Sequence, residues 1–324
     1  MPLHHALILG FLQGVTEFLP ISSSGHLAVY QWLFGPGGPG GPGGPGGPGG
    51  PGETQLLFDV MVHLGTLIAV LIVFRSDIAL LVSGAWRAAT GHANEDRGAL
   101  RLLLLLAVGT VPAAVFGLGW KDELEQLFSA PAYVGCAFLV TGTILWLSRF
   151  SGQRGRTDPP GRPGTQDQLD RAGRPGGSTQ AGHGGYTGRD LSRTNWFDAL
   201  LIGMGQALAL IPGISRSGTT ISIALLLGLD RRLAARYSFL LAVPAILGAV
   251  VVQAGDTGGI PPDQWSAIAV GTLTAAVSGY IALKLLLRIV VAGNLSRFSY
   301  YCWGIGLLTL VGALSGLTGL TSAL

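Results

Sequence analysis

The chain is poor in charged residues. Only 11% of its 324 residues are Asp, Glu, Lys or Arg, whereas soluble domains carry about 25%, and the mean hydropathy is +0.50. This balance excludes an ordinary soluble domain, offers no surface for nucleic acid, and indicates an integral membrane protein.

The two cysteines, Cys136 and Cys302, lie in apolar stretches, so we do not expect a disulfide scaffold. The N-terminal segment lacks a basic start and a cleavage motif and carries Glu17, so we do not interpret it as a signal peptide.

Two apolar regions are interrupted by turn residues. The first, 3–34, breaks at "PISSSG", and the second, 196–229, breaks at "PGISRSG". Pro20 and Pro212 cannot continue a helix, so each region predicts two half-length helices around a polar loop. Irregular backbone at membrane depth persists only inside protein or beside a watery cavity. We therefore expect two re-entrant hairpins with a site between them.

Uninterrupted apolar stretches complete the architecture. A transmembrane helix needs about 20 apolar residues, and six stretches qualify, at about 56–74, 99–119, 131–148, 236–254, 265–290 and 299–321. The order is hairpin, three spans, linker, hairpin, three spans. The sequence thus predicts one all-α polytopic membrane domain, 1–324, built as an inverted-topology repeat. The first repeat is 1–150, the cytoplasmic linker 151–193 and the second repeat 194–324.

The distribution of positive charge tests this topology, because cytoplasmic connections collect Lys and Arg. All but two of the 20 Lys and Arg residues fall in connections on one predicted side of the membrane. The exceptions are Lys121, in the acidic loop "KDELEQ" on the other side, and Arg216, inside the second break. We expect the first hairpin to enter from outside, the second from the cytoplasm, and the C-terminus to lie outside.

Two segments have low-complexity composition. Residues 36–52 place a proline at every third position; we favour a flexible or partly polyproline loop over a collagen-like segment, since a triple helix needs three chains and a longer run. The linker 151–193 is rich in Gly, Arg, Pro, Asp and Gln and predicts disorder, with a basic patch able to contact anionic lipid headgroups.

The first break carries polar groups that a membrane span normally avoids. Gln13 and Glu17 are four residues apart and share one helix face. An intramembrane carboxylate is costly and usually functional. Ser22, Ser23 and Ser24 follow Pro20, where serines can cap the next half-helix, and the start of that helix is a natural anion site. His26 lies in the same half-helix start; alone it would more often be a structural residue, but its neighbours favour a role in chemistry.

The second break adds a buried cation. Arg216 is flanked by Ser215 and Ser217, with Thr220 at the helix restart. A buried guanidinium requires an anionic partner, and its fork geometry suits phosphate. A structural pair between Arg216 and Glu17 is compatible with phosphate binding, since the pair can form in the empty site.

Together the breaks predict a phosphate or diphosphate site at membrane depth, for which a lipid-linked phosphate is the natural ligand. Glu17 with Gln13 is a thin ligand set for a metal, so a divalent cation such as Mg²⁺ or Ca²⁺ would share the substrate's own oxygens. Asp59 and His63, four residues apart on the first span, are second-rank candidates that line the same cavity or pair with each other. The sequence does not decide whether the protein forms a homodimer.

At this point the sequence resembles the undecaprenyl-diphosphatase family of the bacitracin-resistance type. The resemblance rests on "LQGVTEFLPISSSGHL", "FDVMVHLGT" and "PGISRSGTT". It implies removal of the terminal phosphate from undecaprenyl diphosphate in the bacterial plasma membrane, which recycles the carrier lipid for cell-wall polymers. It also implies a divalent cation and a site open to the outer side.

The resemblance assigns roles residue by residue. The family's glutamate motif matches Gln13 and Glu17, its essential histidine matches His26, and its proposed serine nucleophile matches Ser23. Its arginine motif matches Ser215, Arg216, Ser217 and Thr220. Many members have Glu where this chain has Gln13, which removes one metal ligand or base.

These residues suggest a mechanism. Arg216, the helix N-termini and a divalent ion hold the diphosphate, and Ser23 attacks the terminal phosphorus while Glu17 or His26 accepts its proton. The other group assists the leaving group or activates water. Direct attack by water or by His26 remains an alternative at this stage.

Three rival functions fit parts of the sequence. A transporter or flippase of a lipid-linked phosphate fits the repeat and the broken helices. A type-2 phosphatidic-acid phosphatase is set aside because no His follows Arg216 in "SGTTISIALLLGLD". A purely structural membrane protein leaves Glu17 and Arg216 unexplained.

Overall fold

The computed structural model describes residues 2–34, 53–91, 97–128, 130–151, 188–254 and 264–315. In the first half the helices are α1 Leu3–Phe18, α2 Ser23–Phe34, α3 Glu53–Val73, α4 Arg75–Ala89, α5 Arg97–Gly119, α6 Lys121–Phe128 and α7 Pro131–Leu147. In the second half they are α8 Trp196–Leu208, α9 Arg216–Leu226, α10 Arg231–Ala254, α11 Trp265–Val291 and α12 Phe298–Leu314, with 3₁₀ turns at Leu191–Arg193 and Leu295–Arg297. No strand occurs among these residues, so the predicted all-α class is confirmed.

The long helices match the predicted spans. Four of them, α5, α7 with its extension to Ser151, α10 and α11, are long and apolar enough to cross a membrane. Helices α3 and α4 count as a fifth span if they are taken as one helix bent by 82°. Helix α12 covers most of the predicted span 299–321, whose last part lies outside the described residues. The chain is therefore a multi-pass membrane protein.

Two predicted connections are wrong in detail, because they are helical. The segment after the first span forms α4, which turns away from α3 and packs on α5, where a Cβ at Gly84 would meet Ala99. An ion pair between Asp77 and Arg236 ties α4 to α10. The predicted acidic loop "KDELEQ" is the short helix α6. Charge counting marks both segments as connections but gives no information about their secondary structure.

The Gly/Pro insertion 36–52 and residues 152–187 of the predicted linker lie outside the described residues. The end of that linker, 188–193, is folded against the second half. Arg189 donates its N–H to the Gly228 carbonyl at 2.7 Å and accepts from the Asp230 N–H at 2.9 Å. The predicted disorder therefore does not extend to these last residues.

Small residues let the helices approach closely. Helix α1 packs along α11, and α8 packs along α5. At the first crossing a Cβ on Gly10 would collide with the Gly271 carbonyl, and at the second a Cβ on Gly203 would collide with the Gly109 carbonyl. Close backbone contact replaces the hydrophobic driving force that lipid does not supply. These two crossings fix the positions of α1 and α8, the helices that lead into the breaks.

The crossing of α7 and α12 gives a direct test of this packing. A Cβ on Gly306 would lie 2.9 Å from the Gly135 carbonyl oxygen, whereas a Cβ on Gly304 would meet nothing within 4 Å. We expect Gly306→Val to destabilise the protein by about 1–3 kcal/mol, the usual cost of overpacking, and to lower the apparent Tm in detergent by several degrees. Gly304→Val, two residues away on the same helix, should leave the Tm nearly unchanged. Equal Tm values for the two variants would contradict the crossing.

Candidate active site

The first break is a tight loop held by its own serine. Helix α1 ends at Phe18 and α2 begins at Ser23. Ser22 has φ +68°, an uncommon conformation for a residue with a side chain. Its hydroxyl accepts a hydrogen bond from the Gly25 N–H at 3.2 Å. This cap satisfies one of the free N–H groups at the start of α2, as the sequence predicts.

The second break has the same design. Helix α8 ends at Leu208, and the chain turns at Gly213, whose φ of +98° suits glycine. Ser215 caps α9 by accepting from the Gly218 N–H at 3.1 Å. Thr141 of α7 anchors the loop: its hydroxyl donates to the Gly213 carbonyl at 2.9 Å and accepts from the Ser215 N–H at 3.0 Å.

The two breaks contact each other inside the bundle. A Cβ on Gly25 would lie 2.8 Å from the Gly213 Cα, so only glycine permits this approach. The Ser217 hydroxyl donates to the Leu19 carbonyl at 3.3 Å. The predicted meeting of the two breaks is therefore present in the structure, although the residues involved are 198 positions apart in sequence.

Glu17 is the centre of the site. Its side chain is nearly buried, and its Oε1 accepts from Arg216 Nη2 at 2.6 Å. Its Oε2 accepts from the Ser23 hydroxyl at 2.5 Å and from Gln13 Nε2 at 3.0 Å. Ser23 and Arg216 are the first residues of α2 and α9, so two positive helix ends face one carboxylate. The predicted ion pair joins the two hairpins.

Two buried atoms in this cluster lack a partner. Arg216 Nη1, a donor, and Gln13 Oε1, an acceptor, have almost no solvent exposure and make no hydrogen bond to any described residue. Leaving such groups unpaired costs about 1–3 kcal/mol each. A ligand that presents acceptors to the guanidinium and a cation or proton to the amide oxygen would satisfy both. A phosphate group with an associated cation has this chemistry.

His63 joins the cluster, and Asp59 supports it only indirectly. The Nε2 atom of His63 lies 4.0 Å from Glu17 Oε2, and its Nδ1 donates to the Asp59 backbone carbonyl at 2.7 Å. The Asp59 carboxylate accepts from Gln31 Nε2 at 3.4 Å. The side chains of the second-rank pair thus make different contacts: the His63 ring lies beside Glu17, and the Asp59 carboxylate bonds to Gln31 of α2.

His26 lies one helical turn beyond Ser23 and makes different contacts. Its Nδ1 is 2.6 Å from the Ser22 carbonyl, and its Nε2 is 2.7 Å from the Tyr301 hydroxyl. Among the described residues His26 makes no hydrogen bond to Glu17 or Arg216. Sequence reasoning missed Tyr301, because it lies in an apolar helix with no polar motif around it.

The remaining predicted residues have structural contacts. The hydroxyls of Ser22 and Ser24 are 3.2 Å apart, and those of Ser215 and Ser217 are 3.3 Å apart. Thr220 is fully buried and donates to the Arg216 carbonyl at 2.8 Å. Its hydroxyl is thus used within α9, where it fixes the turn that carries Arg216.

The described residues contain no group of three or more His, Cys, Asp and Glu side chains arranged to hold a metal. Two oxygen ligands are nevertheless adjacent, the Glu17 carboxylate and the unpartnered Gln13 Oε1. These fit a hard divalent cation that takes its other ligands from phosphate oxygens and water. They do not fit a cation held by the protein alone.

Comparison with known proteins identifies the family of the chain. Residues 6–308 match the family model described as "Bacitracin resistance protein BacA". Proteins named undecaprenyl-diphosphatase are 39% identical in Carboxydothermus hydrogenoformans, covering 94% of this chain and 95% of that protein, and 41% identical in Desulfosudis oleivorans, covering 94% and 96%. One from Methanobrevibacter smithii is 36% identical, covering 98% and 100%.

The fold and the site define an all-α membrane protein with a buried charge cluster between two broken helices, suited to a phosphorylated lipid headgroup. With a family match over nearly its whole length, the chain belongs to the BacA family of bacitracin resistance proteins. Of the residues that carry the earlier resemblance, the structure brings Gln13, Ser23, His63 and Arg216 to Glu17.

The anchor at Thr141 provides a test that leaves the charged residues intact. Thr141→Val keeps the shape but leaves the Gly213 carbonyl and the Ser215 N–H without their partner. We expect a loss of about 1–3 kcal/mol of stability and weaker phosphate binding, because the loop before Arg216 loosens. Thr143→Val, two residues away, removes an exposed hydroxyl that bonds only within its own turn and weakly to Trp303. Thermal unfolding with and without inorganic phosphate measures both effects; identical behaviour of the two variants would exclude Thr141 as an anchor.

Proposed function

We propose that the cluster around Glu17 hydrolyses undecaprenyl diphosphate to undecaprenyl phosphate and inorganic phosphate. This reaction recycles the carrier lipid of cell-wall polymers and accounts for the bacitracin resistance that gives the family its name. The observation that carries the proposal is that a nucleophile, a base and a guanidinium meet at two helix N-termini. Ser23 and Arg216 both contact Glu17, within 2.5 and 2.6 Å.

Substrate binding rearranges the charge pair. The diphosphate carries several negative charges, so it competes with Glu17 for Arg216. The unpartnered Nη1 already offers one donor, and bidentate contact with phosphate would use Nη2 as well. Once the guanidinium contacts phosphate, Glu17 Oε1 loses its partner and the carboxylate is free to accept a proton. The polyprenyl tail stays in lipid while the headgroup reaches the buried loops.

Ser23 is the nucleophile in this proposal. Its hydroxyl already donates to Glu17 Oε2, the geometry expected of a serine and its base. The serine Oγ–P bond forms as the bond between the terminal phosphorus and the bridging oxygen breaks. The serine proton passes to Glu17, and the electron pair leaves on undecaprenyl phosphate. A phosphate leaving group is a weak base, so it needs no general acid.

Water then releases the phosphate from Ser23. The water oxygen bonds to phosphorus, the Oγ–P bond breaks, and Ser23 recovers its proton from Glu17. Glu17 is protonated at this stage and cannot activate the water. His26, in its neutral form, takes up the proton that the water releases. The two bases thus serve the two halves of the reaction.

A divalent cation belongs to the same proposal. Glu17 and Gln13 would hold it together with phosphate oxygens, and it would neutralise charge that develops during transfer. Since Gln13 has no negative charge, we expect this chain to bind the cation weakly without substrate.

The proposed inverted repeat is supported by an ungapped match between the two breaks. "LGFLQGVTEFLPISSSG", residues 9–25, aligns with "IGMGQALALIPGISRSG", residues 202–218. The helix contacts of the two halves also correspond, because α1 packs on α11 in the same way as α8 packs on α5. The glycines at these two crossings, Gly10 and Gly203, occupy aligned positions. The odd number of predicted spans between the hairpins places the second half upside down.

The unequal distribution of Lys and Arg between the two predicted sides of the membrane supports a proposal for the orientation of the protein. We propose that the protein lies in the bacterial plasma membrane with the site open to the outer side. The basic connections, including the Arg75–Ala89 helix, then face the cytoplasm. Substrate enters from the outer leaflet, where polymer assembly leaves the diphosphate.

A second candidate function is transport of a lipid-linked phosphate across the bilayer. The observation that favours it is the pairing of two broken helices at the centre of the bundle, a design also used by transporters. It requires no nucleophile, so the short contact between Ser23 and Glu17 favours hydrolysis.

Phosphate release from undecaprenyl diphosphate by the purified protein tests the function. We expect Mg²⁺- or Ca²⁺-dependent release that a chelator abolishes. Glu17→Gln and Arg216→Ala should each lower kcat by about 100-fold or more, because they remove the base and the main phosphate contact. Asp77→Asn is the matched control: it breaks an ion pair with Arg236 away from the site and should lower stability while activity per folded molecule is retained.

Two results would count against hydrolysis. Folded protein that binds the lipid but releases no phosphate would favour the transporter. Equal losses in Asp77→Asn and Glu17→Gln would mean that activity only follows stability.

The nucleophile has a separate test. Ser23→Ala should abolish a phosphoenzyme trapped by acid from substrate labelled in the terminal phosphate, and should lower kcat by about 100-fold or more. Ser24→Ala, the adjacent serine whose hydroxyl contacts only Ser22, should retain both. Near-normal turnover by Ser23→Ala would show that water attacks directly.

A further inference from the structure

The ring of His26 is contacted by described residues of α7, of α12 and of the first break. Phe138 of α7 meets it edge-on, with ring centroids 5.1 Å apart and planes at 82°. Tyr301 of α12 stacks on it at 5.7 Å and 9°. Both ring nitrogens are also engaged, by Ser22 and by the Tyr301 hydroxyl. Both hydrogen-bonding positions of the ring are therefore occupied.

The partners of the two nitrogens define the tautomer. The Ser22 carbonyl can only accept, so Nδ1 of His26 carries a hydrogen. In the neutral ring Nε2 then carries the lone pair, and the Tyr301 hydroxyl donates to it at 2.7 Å. The charged groups of the site, Glu17 and Arg216, bond to each other and make no hydrogen bond to this ring among the described residues. Tyr301 is therefore the described residue that bonds to Nε2, in the state that the Ser22 carbonyl selects.

Helix α12 contacts the first break at the residue that follows Tyr301. Cys302, the next residue, is fully buried, and its thiol contacts the Pro20 carbonyl at 3.6 Å. Tyr301 itself is 47% exposed, so its hydroxyl lies at the edge of the site while its backbone is anchored to the loop. The tyrosine thus keeps a constant position relative to Ser22 and His26.

We propose that Tyr301 links His26 to the attacking water in the hydrolytic half of the reaction: its hydroxyl donates to Nε2, passes that proton to the ring, and takes up a proton of the water as the water oxygen bonds to phosphorus. Neutral His26 is thereby the base, and it acts on the water through the Tyr301 hydroxyl. Tyr301 acts together with His26 and does not contact the reacting phosphorus. This inference rests on the proposed hydrolase function and adds a residue that the sequence motifs do not contain.

Kinetics of Tyr301→Phe test the inference, with Tyr300→Phe as the matched control. Tyr301→Phe keeps the stacked ring and removes only the donor to Nε2. We expect kcat to fall about tenfold, as for other residues that orient a functional histidine, with KM within about twofold and more phosphoenzyme trapped by acid. Tyr300 is 70% exposed and contacts Trp303 edge-on, so Tyr300→Phe should change none of these values.

A double-mutant cycle shows whether Tyr301 acts together with His26. In a His26→Ala background, Tyr301→Phe should have no further effect on kcat, because coupled residues are not additive. Losses that multiply would overturn the inference and indicate direct contact with the substrate. A rise in KM with kcat unchanged would overturn it in the same way.

A spectroscopic measurement is independent of activity. In protein labelled with ¹⁵N-histidine, the His26 resonances, identified by their loss in His26→Ala, should show a protonated Nδ1 and an unprotonated Nε2. Tyr301→Phe should shift the Nε2 resonance or mix the tautomers, and Tyr300→Phe should not. An unchanged spectrum in Tyr301→Phe would overturn the inference. If the wild type releases no phosphate, the proposed function fails, while this spectrum still reports on Tyr301.

Discussion

The structure depends on one buried ion pair, between Glu17 and Arg216. Neither charge is stable alone at membrane depth, because the cost of removing an ion from water is large unless a partner compensates it. The pair forms only if the two breaks lie side by side. The glycine contact between Gly25 and Gly213 and the Thr141 anchor serve this requirement. The crossings of α1 with α11 and of α8 with α5 position the two helices that precede the breaks.

The same ion pair holds Arg216 in a position where its guanidinium can bind a phosphate. Because a buried Arg216 without an anionic partner would be unstable, the ion pair with Glu17 persists until an anion of higher charge binds the guanidinium. In the proposed mechanism, phosphate replaces Glu17 as the partner of the Arg216 guanidinium. The released carboxylate is already bonded to Ser23. Binding and activation of the nucleophile are thereby coupled through one exchange of partners. A ligand without sufficient negative charge would leave the pair intact and the serine unactivated.

Sequence alone predicts the residues of this centre well, because each violates a rule for membrane spans. Glu17, Arg216, Pro20 and Pro212 are anomalous in an apolar chain, and their anomaly locates the breaks. Tyr301 violates no rule, since a tyrosine in an apolar helix is ordinary, so only the folded geometry shows its contact with His26. Helices α4 and α6 were missed because their charged residues indicate only that the segments connect two spans. A charged connection can be an amphipathic helix or a loop, and the charge does not distinguish the two.

The aligned breaks explain why a symmetric scaffold holds an asymmetric site. In the proposed repeat Ser23 and Arg216 occupy equivalent positions, each the first residue of its half-helix, and both reach one carboxylate. That carboxylate exists once, because the position equivalent to Glu17 is Leu210. A second glutamate there would place two carboxylates near one guanidinium and leave one of them unpaired in a low-dielectric interior. In the proposed mechanism, divergence at two aligned positions, 17/210 and 23/216, thus converts two similar helix ends into one nucleophile, one base and one phosphate contact.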